Sequence, residues 1–168
     1  MTAVETTAAL TGQQLALLLQ YTVEAYKTFQ KLAENLPNPI TAGMFKQFAT
    51  DERENRDLID MKIAATGRDS NIRVTLGADM IFQDILEGEL AWKEASEFLA
   101  GREKTMQTKL REFQRDASAL DRNLLIFLET VKRAHIVELE REIEMLKIDR
   151  EWWKREDAES RIVHGAPE

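Results

Sequence analysis

Apolar residues recur along most of this chain at spacings of three and four, the period of an α-helix rather than a strand. The punctuation between the periodic stretches divides them into four helices. The first is predicted to start at Thr11, because Thr11-Gly-Gln-Gln14 fits a capping box with Thr as cap and Gln three residues on. It must end before Asn35-Leu-Pro-Asn-Pro39, where two prolines break the helical ladder. The second restarts with Asn38 or Thr41 as its cap and runs to about Thr66-Gly67, with Gly suited to the αL position that ends a helix. Residues 68–77, polar or β-branched, read as a crossover. The third helix is predicted from about Ala78 to Ala100, stopping at Gly101, with residues 102–116 either extending it or forming a separate short helix. The fourth starts at Ser118 or Asp121 and meets no Gly or Pro before Gly165. A helix of about 40 residues would be about 60 Å long and would overhang its neighbours.

At about 100° per residue, side chains sharing a face can be identified. In the second helix Phe45, Phe48, Ile59 and Ile63 form one stripe, and Glu52 and Asn55 lie inside it. In the fourth, Leu125, Leu128, Leu139 and Ile143 form a stripe that contains Lys132 and His135. The two sets match position for position at a constant offset, so two helices carry one design: an apolar stripe interrupted by a polar pair at i and i+3. In the third helix Glu89 shares a face with Phe82, Ile85, Trp92, Ser96 and Ala100, whereas Glu87 points elsewhere. The stripe of the first, Leu15, Leu18, Leu19, Thr22, Tyr26 and Phe29, holds no carboxylate, and Glu24 faces away. A charge in an apolar stripe is costly unless paired or bound to metal. Glu52, Glu89 and Lys132 are therefore the informative residues, with Asn55 and His135 beside them.

A Glu-x-x-His pair on each of two helices, with one Glu on each of the other two, is the di-metal carboxylate layout of ferritin-like bundles. Over roughly residues 11–150 the sequence resembles the rubrerythrin branch of that superfamily. Phe45-Lys-Gln-Phe-Ala-Thr-Asp-Glu-Arg-Glu-Asn-Arg56, Ile85-Leu-Glu-Gly-Glu89 and Phe127-Leu-Glu-Thr-Val-Lys-Arg-Ala-His135 carry the resemblance. It implies an all-α, antiparallel four-helix bundle with a long crossover between the second and third helices and an extended last helix. Residues 1–160 would form the single helical domain, and 161–168 a flexible tail. It also implies six ligands, and here the chain departs from the pattern. Asn55 stands where a His is expected and Lys132 where a Glu is expected. The first-helix Glu falls at Leu19 or Thr22. Glu52, Glu89 and His135 remain.

Two readings follow. In one, no cofactor is bound, and the Lys132 ammonium bridges Glu52 and Glu89 in a buried polar cluster with Asn55 and His135. In the other, Glu52, Glu89 and His135 hold one iron or zinc ion. The first implies a degenerate ferritin-like protein acting as a structural or interaction module, and not an enzyme. The second implies a metal-binding oxidoreductase or peroxidase of rubrerythrin type with an altered site. Iron storage ranks below both, since it needs the metal pair.

Composition narrows the remaining classes. The chain has 168 residues, 43% hydrophobic and 32% charged, with a net charge of -7. That excess of acid argues against nucleic acid or an anionic membrane as a partner. With no cysteine there is no thiolate metal site, disulfide or Cys nucleophile. No apolar run is long enough to span a bilayer, and MTAVETTAAL lacks the basic region of a signal peptide, so a cytoplasmic location is expected. No Gly-rich phosphate loop or Ser/His/Asp set stands out. Tyr26 is read as a core aromatic, His164 as a solvated residue without a role, and the methionines as gap filling. The charged run from Glu138 to Glu159 reads as a solvated helix supported by pairs such as Lys147–Glu151 and Arg155–Glu159. Within it Trp152 and Trp153 would be exposed on the overhang, which marks an interface and predicts a homo-oligomer, most simply a dimer, or a protein partner. The alternative is that both tryptophans fold back on residues 102–116.

Overall fold

A computed structural model of the chain describes residues 9–66 and 91–164. The crossover at 68–77, the start of the third helix at Ala78, its carboxylate Glu89 and residues 165–168 lie outside the described residues. Every regular element among the described residues is helical: α1 (Gly12–Asn35), α2 (Pro39–Thr66), α3 (Trp92–Asp116), α4 (Ala119–Ile148), a 3-10 turn (Trp152–Lys154) and α5 (Ala158–His164). None of these helices is long and apolar enough to cross a membrane.

The caps explain where the helices begin. Thr11 accepts from the Gln14 amide at 3.0 Å while Gln14 accepts from the Thr11 amide at 2.9 Å, the reciprocal box expected. Asn38 caps α2: its Oδ1 accepts from the amides of Ile40 at 2.9 Å and Thr41 at 3.2 Å. Pro39 then takes the first helical position, where its missing N–H costs nothing. Ser118 caps α4 through the Asp121 amide at 3.4 Å.

The three-residue link at 36–38 folds α1 and α2 into a hairpin, and Ala117-Ser118 does the same for α3 and α4. The hairpins share one core. Phe29 of α1 stacks on Phe45 of α2, 5.9 Å between centroids, and meets Phe48 edge-on at 5.3 Å. Leu125, Leu128 and Leu139 of α4 close the same cluster with Leu99, Met106 and Leu110 of α3. Side-chain bonds tie one hairpin to the other along its length. Thr41 donates to Glu142 at 2.6 Å near one end, and Lys62 pairs with Asp121 near the other.

Several expectations fail. Gly101 does not stop α3, which runs on to Asp116, so residues 102–116 extend the helix. One continuous buried face, Ser96, Leu99, Ala100, Glu103, Met106 and Leu110, carries it through the glycine, and packing outweighs the propensity cost of about 1 kcal/mol. The fourth helix is not about 40 residues long but ends after 30, at Ile148. Asp149 builds the stop: it accepts from the Glu151 amide at 3.1 Å and from the Arg155 guanidinium at 2.9 and 3.1 Å, an aspartate-centred turn that needs neither Gly nor Pro. The chain then doubles back. Trp152 and Trp153 are 3% and 0% exposed, so neither forms an exposed interface. Nor do they rest on residues 102–116: Trp153 meets Phe45 edge-on at 5.5 Å and Trp92 at 6.0 Å. Residues 161–164, expected in a tail, belong to α5. The surface pairs differ too, with Lys147 on Glu144 at 2.8 Å and Arg155 on Asp149.

Candidate functional site: a buried ion cluster between the hairpins

The polar positions inside the apolar stripes are among the least solvated of the protein. Glu52, Asn55, Lys132 and His135 are 0%, 1%, 2% and 0% exposed. Each follows from helical period: in α2 Glu52 and Asn55 lie between Phe48 and Ile59 on the buried face, and in α4 Lys132 and His135 lie between Leu128 and Leu139. The structure therefore brings together the residues that the matching stripes single out.

Three members of the cluster are new: Glu103, Tyr21 and Asp51, whose Oδ2 meets His135. Glu103 of α3, 1% exposed, brings a carboxylate of that helix into the cluster; Glu89 lies outside the described residues. Tyr21 of α1, 7% exposed, rather than Tyr26, is the core tyrosine, and its hydroxyl donates to Glu103 Oε2. Each long helix thus contributes. Glu103 is legible only if α3 continues past Gly101, because it then extends the Ser96–Ala100 face by one turn. Tyr21 is missed because the buried face of α1 is centred between Leu18 and Ala25, one position from the stripe assumed.

The geometry is that of a cation held among carboxylates. The Lys132 ammonium pairs with Glu52 Oε1 and stands 3.3 and 3.2 Å from the two oxygens of Glu103. It also lies 5.0 Å from the centre of the Tyr21 ring, within reach of a cation–π attraction. His135 bonds at both nitrogens: Nδ1 to Glu103 Oε1 at 2.8 Å and Nε2 to Asp51 Oδ2 at 2.9 Å. Both partners are carboxylates, which accept, and this arrangement favours the imidazolium form, in which both ring nitrogens donate. Phe48 stacks on that ring, 4.0 Å between centroids. Glu52 Oε2 and Asn55 Oδ1 are buried without a hydrogen-bond partner.

Protonation follows from these contacts. Burial pushes Glu103 up, but Lys132, His135 and Tyr21 together outweigh it and hold it at about 2. Burial also dominates at Glu52, and there it wins over Lys132, so Glu52 lies above the usual carboxylate value. Burial alone would lower Lys132 and His135. The carboxylates facing them, Glu103 and Glu52 for the lysine and Asp51 and Glu103 for the histidine, raise both instead. Tyr21 is driven well up by burial and by Glu103, so its phenol stays a donor.

The donor set can be tested against metal chemistry. One oxygen or nitrogen from each of Glu52, Glu103 and His135 lies within 4.8 Å of the others. A di-metal centre of the bundle type calls for four carboxylates and two histidines. Among the described residues two buried carboxylates and one imidazole surround a lysine, three donors and one added cation where that layout calls for six donors.

Fold and site together define an all-helical protein whose two hairpins meet on a buried cluster of ions. Against protein-family models, curated proteins and solved structures alike, the chain finds no match.

Proposed function

We propose that this is a ferritin-like four-helix bundle of rubrerythrin type in which an internal salt cluster stands in for the metal centre, and that it works as a non-catalytic structural or interaction module. The observation that carries this reading is the Lys132 ammonium, lodged between Glu52 and Glu103 with 2% exposure. It supplies positive charge where the layout would put metal. The two-hairpin arrangement and the Glu52/Asn55 and Lys132/His135 pairs at matching positions support the family assignment.

The test is metal content. Protein purified from cells supplied with iron and zinc should carry less than one equivalent of metal per chain and show no oxo-bridged di-iron absorption. Two tightly held metals per chain would end the reading.

A second reading, a mononuclear iron or zinc oxidoreductase or peroxidase, draws on the convergence of Glu52, Glu103 and His135. It requires His135 to give up a proton and Lys132 to withdraw. One stoichiometric metal, lost on His135→Ala substitution, would favour it.

A further inference from the structure

A small cavity lies beside the ion cluster, where the four long helices meet. Its volume is about 10 Å³, the size that admits one water molecule and no second. Tyr21 and Thr22 of α1, Asn55 of α2 and Lys132 of α4 give its wall four polar side chains. Leucine and methionine side chains make up the rest, and every residue on the wall is buried.

The polar atoms on that wall call for a partner of one kind. Asn55 Oδ1 is buried, and among the described residues nothing donates to it. A bare buried acceptor is costly, and protein interiors pair nearly all of them with protein groups or ordered water. Lys132 offers the opposite need. Its ammonium carries three N–H groups, and two carboxylates, Glu52 and Glu103, take its ion pairs. One N–H remains for the cavity. Thr22 gives its only hydroxyl hydrogen to the Leu18 carbonyl at 2.7 Å, and Tyr21 gives its own to Glu103. Both hydroxyl oxygens are left as acceptors.

The occupant therefore has to donate to Asn55 and to a hydroxyl oxygen while accepting from Lys132. An apolar guest can do neither. A metal ion or an ammonium cannot accept from Lys132 and would meet its charge. An anion has nothing to donate to Asn55 and would stand beside Glu52 and Glu103. Water has two hydrogens and two lone pairs, and three bonds are the usual number for a buried one.

We infer that this cavity binds one ordered water molecule. It donates to Asn55 Oδ1, accepts from Lys132 Nζ, and gives its second hydrogen to Thr22 or Tyr21. It joins α1, α2 and α4 through one hub, so the cluster is held by water as well as by ion pairs. A high-resolution crystal structure of the intact chain should show one peak in the cavity, about 2.7–3.2 Å from both Asn55 Oδ1 and Lys132 Nζ. In solution, oxygen-17 relaxation dispersion counts the waters that a protein retains. Asn55→Leu, close in size and apolar, should lower that count by one with helix content kept. The crystal measurement needs no variant, so it decides the matter if Asn55→Leu fails to fold. An empty cavity in the parent crystal, a peak whose anomalous signal identifies a metal, or an unchanged count in folded Asn55→Leu would each overturn the inference. Metal analysis of the same sample keeps this result apart from that of the proposed function: a metal-free chain with a dry cavity would overturn the water alone.

Discussion

Lys132 and Glu52 pair across the two hairpins in the interior, at 2% and 0% exposure. Neither charge has water to fall back on. Removing one partner leaves the other buried and uncompensated, which costs more than the pair itself contributes. Lys132→Met, close in length and apolar, is expected to lower unfolding stability by about 3–5 kcal/mol, measured by urea denaturation. An unchanged midpoint would mean that the lysine reaches solvent. Lys132→Glu combined with Asn55→His rebuilds two positions of the di-metal layout, and should raise iron or zinc uptake above that of the parent chain.

The same cluster sets the pH range of stability. Glu103 is held at about 2, below its ordinary value of 4.5. A depressed carboxylate stabilises the fold above its unfolded value, and that contribution is lost as pH falls from about 4.5 toward 2. His135 is raised above 6.5. A raised histidine stabilises the fold below about 6.5, and its contribution fades as pH climbs through the folded value. Glu52, raised by burial, acts against Glu103 on the acid side, because its cost is relieved as it takes a proton. Stability should therefore be greatest between about pH 4.5 and 6.5 and decline on the alkaline side. His135→Gln should flatten the alkaline decline while lowering stability at pH 6. A parent protein equally stable at pH 6 and 9 by thermal melting would contradict the cationic imidazole.

Much of this cluster is legible in the order of residues alone. Glu52, Asn55, Lys132 and His135 stand out because the helical period places them where only apolar side chains are inexpensive, and all four are buried. Glu103 is hidden by Gly101, since glycine signals a helix end only where no buried face continues across it. A Cβ added at Gly101 would meet nothing within 4 Å, so the residue has no special packing duty there. The turn after Ile148 is hidden for the opposite reason. It contains neither of the usual breakers, and Asp149 acts only with Arg155, six residues on, once the tryptophans drive the chain back onto the core. Trp152 and Trp153 read as interface residues on a helix that overhangs, and as core residues on one that stops.

That last correction can be measured. Trp153 is fully buried against Phe45 and Trp92. Trp152 donates from its indole to Glu142 at 2.8 Å, and its carbonyl accepts from Asn38 Nδ2 at 2.7 Å. The Asn38 amide in turn reaches the Trp153 carbonyl at 3.1 Å. The cap of α2, the end of α4 and the doubled-back turn thus form one bonded unit. Trp153→Ala should empty a large buried volume and cost about 3–5 kcal/mol. Trp152→Phe keeps most of the ring but strips Glu142 of a donor, for about 1–3 kcal/mol. Burial already pushes Glu142 up, so the lost donor should be felt most at neutral pH, where the carboxyl is charged, and least in acid. Both variants should keep the oligomeric mass of the parent chain by light scattering. A Trp153→Ala protein that melts with the parent but changes its mass would return the tryptophans to an interface.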